Sequence, residues 1–405
     1  MSVRRTARLA AATGTIAGAV VVTLVATAVP ASAMPAADQE MPFPCGQEWH
    51  GSTRSGHSPS WYSIDWNRTD DLGDPMVASA AGVVTRVENL GSRSYVLYAI
   101  VDHGNGETTL YAHLQAEYLT VGQRIDQGEL LGRLGESGGV TGPHLHYEQR
   151  KDGRGVQPYF HDRAFTFNTT VRSRSCVDTP VAGDWDGDGA DEVGVFRRKR
   201  TGLFKLATGD SVRTARWGSG LDQPVVGDWD GDGTPDLGAR NPLTTRFHRQ
   251  GETRPLPVVA FGRTDDRAVA GDWDGDGATD VGVWRPSASA FLLRAADGSV
   301  RKVRLGQVGA LPVTGDWNGD GRTDLGAFSA GTWSLRLTRA DGTTWSASRS
   351  LGRSGDLPVT GDWNGDGADD LGTWRPGTAV FTLRKAPPMA GRATTLETQR
   401  FGKPR

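Results

Sequence analysis

Between Cys45 and Cys176, apolar positions come in short runs: Val83-Val84-Thr85-Arg86-Val87, Tyr95-Val96-Leu97-Tyr98-Ala99-Ile100-Val101 and Thr109-Leu110-Tyr111-Ala112-His113. Turn residues such as Gly104-Asn105-Gly106 separate them. Apolar runs near period two, punctuated by glycine and asparagine, predict strands buried on one face of a sheet. No stretch sustains the period of an amphipathic helix, so the prediction is an antiparallel β-domain.

After Cys176 the pattern becomes periodic. The motif G-D-W-[DN]-G-D-G recurs with its first Asp at 184, 228, 272, 316 and 362, spacings of 44, 44, 44 and 46 residues. Each copy follows a Pro-Val-type run, such as Pro224-Val225-Val226 or Pro312-Val313-Thr314. Copies of this length, each with about four short strands, predict a β-propeller of five blades. Pro180-Val181 at the start and Phe401-Gly402 at the end would join to complete one blade from both ends. The fold class expected is all-β: an antiparallel β-sheet domain followed by a propeller.

The first residues read as an address. Arg4, Arg5 and Arg8 precede an apolar run, Ile16 to Val29, and Ala31-Ser32-Ala33 is a small-residue cleavage site. The expected division is signal peptide 1–33, linker 34–44, first domain 45–176 and repeats 177–405. The expected product is secreted, extracellular or cell-wall associated, monomeric and without a membrane span. A formal net charge of −2 leaves no basic footprint for nucleic acid. Export places Cys45 and Cys176, the two cysteines of the chain, where they oxidise. One bridge between them would staple the first domain end to end, worth roughly 4–5 kcal/mol in the chain-entropy picture.

Candidate chemistry concentrates in that first domain. Seven of the eight histidines lie between His50 and His161. In His144-Leu145-His146, entered from Thr141-Gly142-Pro143 and followed by Tyr147-Glu148, strand alternation puts both imidazoles on one face. Two converging histidines suit a metal site or an acid/base pair, and His57, Asp65 and His113 are further candidates.

Ile64-Asp65, Pro75 to Val84, His103-Gly104-Asn105-Gly106, Tyr111-Ala112-His113-Leu114, Gly122 to Ile125, Leu131-Gly132 and Thr141 to Glu148 occur in an order that resembles the lysostaphin-type zinc metalloendopeptidases. That family cuts peptide cross-links in bacterial cell walls. The resemblance implies zinc held by His57, Asp65 and His146, and catalytic roles for His113 and His144. Three N/O ligands leave a fourth position open, as a catalytic zinc requires. The family spaces its first His and Asp more closely than His57 and Asp65, which are eight apart; Ser58-Pro59-Ser60 is expected to loop out the excess. His50 competes with His57 as first ligand. His103 is expected to be structural, and His161 and His248 to be surface or packing residues.

The repeat loops carry Asp184, Asp186, Asp188 and Glu192; Asp228, Asp230, Asp232 and Asp236; Asp272, Asp274, Asp276 and Asp280; Asp316, Asn318, Asp320 and Asp324; and Asp362, Asn364, Asp366 and Asp370. Carboxylates so crowded repel unless neutralised, and alternating oxygen ligands around a glycine turn suit calcium. The loops resemble the FG-GAP/VCBS calcium loops of integrin-α-like propellers, implying up to five structural Ca2+ ions. Trp185, Trp229, Trp273, Trp317 and Trp363 are expected to pack between blades rather than bind sugar. Leu311 to Gly315 and Leu357 to Gly361 match the L-P-x-T-G sorting signal but lack its apolar and basic tail, so they are read as coincidence.

The resulting expectation is a secreted zinc endopeptidase acting on peptidoglycan peptides, with a calcium-stapled propeller binding a wall polysaccharide or surface ligand. The alternative is a non-catalytic adhesion protein whose propeller is the working module.

Overall fold

The structure is a computed structural model that describes residues 36–404 except 92–94, 139, 141, 252–253 and 386–394. The signal peptide expected at 1–33 lies outside the described residues.

The first region contains strands β1 (Glu48–Ser52), β2 (Ile64–Asn67), β3 (Pro75–Val77), β4 (Gly82–Asn89), β5 (Leu97–Gly104), β6 (Glu107–Ala112) and β7 (Leu114–Glu117). It continues with β8 (Arg124–Ile125), β9 (Leu130–Leu134), β10 (Leu145–Lys151), β11 (Arg154–Gly155), β12 (Tyr159–Phe160), β13 (Arg163–Ala164) and β14 (Thr169–Arg172). One antiparallel sheet runs β14-β1-β2-β10-β6-β5-β4-β8, with β11 on β10; a second, smaller sheet runs β3-β9-β7.

Strand alternation explains the layering. Ile64, Trp66, Tyr111, Leu145 and Tyr147 share one face of the large sheet and are buried against Met76, Leu114, Leu131 and Leu134 of the small one. Tyr111 and Tyr147 stand opposite each other across β6 and β10, and the Ser79 hydroxyl bonds both phenols, at 2.8 and 3.0 Å. This satisfies the buried polar groups at the join between the layers. Gly51 is required because a Cβ there would meet the Trp66 and Phe165 rings at 2.7 and 2.5 Å.

Residues 38–43, read from sequence as part of a linker, pack into this core instead. Met41 and Phe43 are buried, and Phe43 stacks on Trp49 with ring centroids 3.7 Å apart. Cys45 and Cys176 form the disulfide, which closes the region from before its first strand to beyond its last.

The repeats form five separate four-stranded antiparallel sheets, each made of four consecutive strands, over residues 178–219, 223–260, 267–304, 311–350 and 357–400. The propeller expectation is corrected here. Among the described residues, no sheet is completed from the two ends of the array, and none closes or curls into a propeller or barrel. The error lay in pairing Pro180-Val181 with Phe401-Gly402. The strand Asp178–Gly183 opens its own sheet, and Thr395–Arg400 finishes the last one. The two ends meet through side chains and single bonds: the Lys403 N–H donates to Asp178 Oδ2 at 2.7 Å, and the Asp362 N–H to Asp191 Oδ2 at 2.9 Å. Leu311–Gly315 and Leu357–Gly361 are the opening strands of their sheets, so the sorting-signal match is a strand pattern.

The loop after β8 meets the opening strands of the repeats. Arg267 lies in the third copy beside Ala268, whose place the other copies fill with Pro180, Pro224, Pro312 and Pro358. Its guanidinium donates to Glu129 Oε2 at 2.9 Å and to the Arg124 carbonyl at 2.8 Å. An irregular repeat thus supplies the ion pair that fixes the array to the first region.

Candidate metal centre

The site is set by strand register. Ser52, Asp65, His146 and Ala112 stand directly opposite one another across β1, β2, β10 and β6. Cross-strand partners present side chains to the same face, so Asp65 and His146 meet without any long loop. His144 precedes His146 by two residues and joins that face, while Leu145 turns into the core. His113 links the two sheets, directly between β6 and β7, with φ of 64°. That left-handed conformation is costly for a non-glycine residue and swings its imidazole to the cluster.

His57 Nε2 and His146 Nδ1 each lie 3.1 Å from Asp65 Oδ1, and all three residues are buried, at 5, 3 and 6% exposure for His57, His146 and Asp65. His144 Nε2 is 3.7 Å from the same oxygen. The His113 ring is 4.9 Å from that of His144 and 5.9 Å from that of His146. Arg54, which the sequence reading missed, takes the other carboxylate oxygen, Oδ2, at 2.6 Å.

The donor set fits a metal. One ligand atom from each of His57, Asp65 and His146 lies within 4.8 Å of the others. His57 Nε2 is buried and, despite its approach to Asp65, has no hydrogen bond of acceptable geometry. An orphaned buried imidazole nitrogen beside a carboxylate is what a tetrahedral N/O site presents to zinc.

Neighbouring acceptors define the tautomers. His113 Nδ1 contacts the Ser137 carbonyl at 2.8 Å and His144 Nδ1 the Gly142 carbonyl at 3.0 Å. Carbonyls only accept, so each Nδ1 carries the proton and each neutral ring keeps its Nε2 lone pair. His146 Nε2 donates to Glu148 Oε1 at 2.9 Å, which turns Nδ1 toward Asp65. Glu148 in turn accepts from the Tyr95 hydroxyl at 2.7 Å and, through Oε2, from Arg150 Nε at 2.7 Å. Glu148 lies two residues after His146, which puts it on the same strand face.

Electrostatics follow from these contacts. Burial would raise the Asp65 carboxyl, but the close approach of the His146 and His57 imidazoles holds it well below the usual carboxylate range. Burial opposes charge on Glu148 too, and His146 and Arg150 still draw its pKa down to about 2. Burial and then the nearby His144 push His113 down to about 4, so it is neutral at physiological pH. His146 is raised against its burial by Asp65 and Glu148.

His50, the rival first ligand, is exposed on β1 and contacts Thr170 Oγ1 at 3.3 Å, outside the cluster. Residues 53–63 form the expected loop between β1 and β2, closed by the Ser63 N–H donating to the Ser60 carbonyl at 3.0 Å. His103 bonds the Ala81 carbonyl and Thr109, both at 2.8 Å. His161 pairs with Glu40 at 2.8 Å. His248 lies in the second repeat, where its backbone carbonyl accepts from Trp217 Nε1 at 3.0 Å.

The expectation of up to five structural calcium sites finds no support among the described residues. Three loops bring acidic oxygens together: Asp184, Asp186, Asp188 and Glu192; Asp228, Asp230 and Asp232; and Asp272, Asp274 and Asp276. The first Asp of each loop is already engaged. Asp228, for example, accepts the N–H groups of Gly231, Asp232 and Gly233 at 2.7, 3.1 and 2.8 Å. In the last two loops Asn318 and Asn364 donate to Asp324 and Asp370 at 3.1 and 2.9 Å. Burial first, and then the neighbouring carboxylates, raise Asp280 and Asp324 to about 7. The loop tryptophans are buried packing residues, Trp317 fully so.

Residues 60–158 match Peptidase family M23. The chain is 44% identical over 86 residues to the DD-carboxypeptidase/endopeptidase Mpg of Neisseria meningitidis, covering 21% of this chain and 19% of that protein. It is 34% identical over 121 residues to the peptidoglycan DD-endopeptidase ShyA of Vibrio cholerae, covering 28% of each. Among solved structures it resembles a putative peptidase M23 from Pseudomonas aeruginosa, with 26% identity, coverage of 33% of this chain and 53% of that one, and a TM-score of 0.27. The chain therefore spans 19% to 28% of the length of these curated relatives. With the buried His-Asp-His set, the match over residues 60–158 supports a zinc metalloendopeptidase domain of the M23 type. The match covers residues 60–158 and no sheet closes among the described residues, so the FG-GAP/VCBS propeller reading of the repeats and the calcium-dependent attachment role built on it find no support.

Proposed function

We propose that the chain is a secreted zinc-dependent endopeptidase that hydrolyses peptide bonds in bacterial cell-wall peptidoglycan. The observation that carries this reading is the convergence of His57, Asp65 and His146, with His113 and His144 beside them. A binding-only relative would have no use for that complete set. The printed activities of the curated relatives support peptidoglycan as substrate. The basic and apolar start of the chain and the disulfide support export. Residues 45–176 are the catalytic domain in this reading, 1–33 the signal peptide, and 177–405 a repeat array held against the catalytic domain.

His57, Asp65 and His146 would hold the zinc. When bound, zinc supplies Lewis acidity, making water nucleophilic near neutral pH and polarising the scissile carbonyl. The protein's own groups do the rest. Asp65 stays ionised, and Arg54 holds its second oxygen. His113 is neutral with its Nε2 lone pair free, so it accepts the proton of the attacking water at that atom, and that proton is then available to the departing amine. His144, whose Nε2 lies 3.7 Å from Asp65, flanks the other side; with a proton taken up at Nε2 it would donate to the carbonyl oxygen as charge develops there. Incubation with purified peptidoglycan should release new amino termini. Chelator should stop the release and zinc restore it; intact wall under both conditions would overturn the reading.

A further inference from the structure

Thr53 follows β1 and stands at the start of the loop that separates His57 from Asp65. Its hydroxyl makes two contacts. Thr53 Oγ1 donates to the Trp61 carbonyl at 2.9 Å and lies 3.1 Å from His57 Nδ1. A hydroxyl has one proton. Because the Trp61 carbonyl can only accept, it takes that proton, and the Thr53 oxygen must accept the proton on His57 Nδ1. The neutral His57 ring is thereby fixed with its lone pair on Nε2. That atom is the one left buried without a hydrogen bond, 3.1 Å from Asp65 Oδ1.

We infer that Thr53 is a positioning residue that selects the metal-binding tautomer of His57, using the carbonyl of the inserted loop to direct its own proton. The inference rests on the zinc site proposed above and adds a residue to it. The arrangement mirrors the one at His146, where Glu148 holds Nε2 so that Nδ1 faces the cluster. The two histidine ligands thus present opposite nitrogens, each set by a different outer partner. The long spacing from His57 to Asp65 then has a use. The loop it creates brings the Trp61 carbonyl back to Thr53, and it carries Trp61, 53% exposed, outward into solvent.

The test is zinc affinity of the full chain, measured by competition with a chromophoric chelator using zinc alone as ligand. Thr53 is only partly buried, so Thr53→Val and Thr53→Ala should fold with the melting temperature of the metal-free wild type. Both should bind zinc roughly 10–100-fold more weakly. Thr53→Ser, which keeps the hydroxyl, should restore wild-type affinity. Nitrogen NMR of the metal-free chain should show His57 protonated at Nδ1 in wild type and Thr53→Ser, and a tautomer mixture in Thr53→Val. A Thr53→Val chain with wild-type affinity, or a Thr53→Ser chain as weak as Thr53→Val, would overturn the role of Thr53 while leaving the zinc site intact. A wild-type chain that binds no zinc would overturn the site reading itself.

Discussion

Asp65 and His146 face each other directly across β2 and β10, with Oδ1 and Nδ1 3.1 Å apart, although 81 residues separate them in sequence. A one-residue slip of either strand would send one of these side chains into the core. The buried residues on the opposite face, Ile64, Trp66, Leu145 and Tyr147, therefore specify the metal site by specifying the register.

Glu148 holds the far nitrogen of His146 and is itself held by Tyr95 and Arg150. Glu148→Gln keeps the shape and removes the charge that orients the imidazole. Zinc affinity should fall by about 10-fold or more, measured by chelator competition.

His113 is the group assigned to proton acceptance and contributes no atom to the His57-Asp65-His146 set. His113→Ala should retain a full equivalent of zinc and lower peptidoglycan hydrolysis by roughly 10²–10⁴-fold. Metal analysis and amino-terminus release on the same preparation separate the two effects.

Arg267 joins the repeats to the first region through Glu129. Both side chains are largely buried, so Arg267→Ala leaves the Glu129 carboxylate with the Asp126 N–H but without its guanidinium. The expected loss is roughly 3 kcal/mol, seen in calorimetry as a lower or split unfolding transition.

Asp191 and Asp369 sit half-buried between neighbouring loops, raised to about 8 and about 7, in each case first by desolvation and then by nearby carboxylates. An unfolded aspartate titrates near 3.9. Between that value and the folded one, the native state binds a proton that the unfolded chain has released. Stability from these groups is therefore fully present below about pH 4 and is lost as pH rises toward 8. The melting temperature of the repeats should be higher at pH 5 than at pH 8, by roughly 5 °C. Asp191→Asn with Asp369→Asn should flatten that dependence.

The strand runs and the H-x-H pair were legible because alternation is local. Val83 to Val87 lies within β4, and His144 and His146 share the site face. Val96, read as strand, lies in the turn before β5 with φ of 56°, a change that a hydrophobic pattern does not register. Arg54, Thr53 and Tyr95 escaped notice because each acts through contacts set by a loop. The repeat spacing located the five copies, but the pairing of chain ends depends on which strands exchange hydrogen bonds. That choice placed all four strands of each sheet in sequence and left none shared. Counting carboxylates suggested calcium because backbone N–H donors are invisible in a sequence.

The metal content of the purified chain tests the central claim most directly. The account predicts one equivalent of zinc in the wild type and its loss in each of His57→Ala, Asp65→Ala and His146→Ala, while His50→Ala keeps it. A full equivalent of zinc retained by all three ligand variants would contradict it.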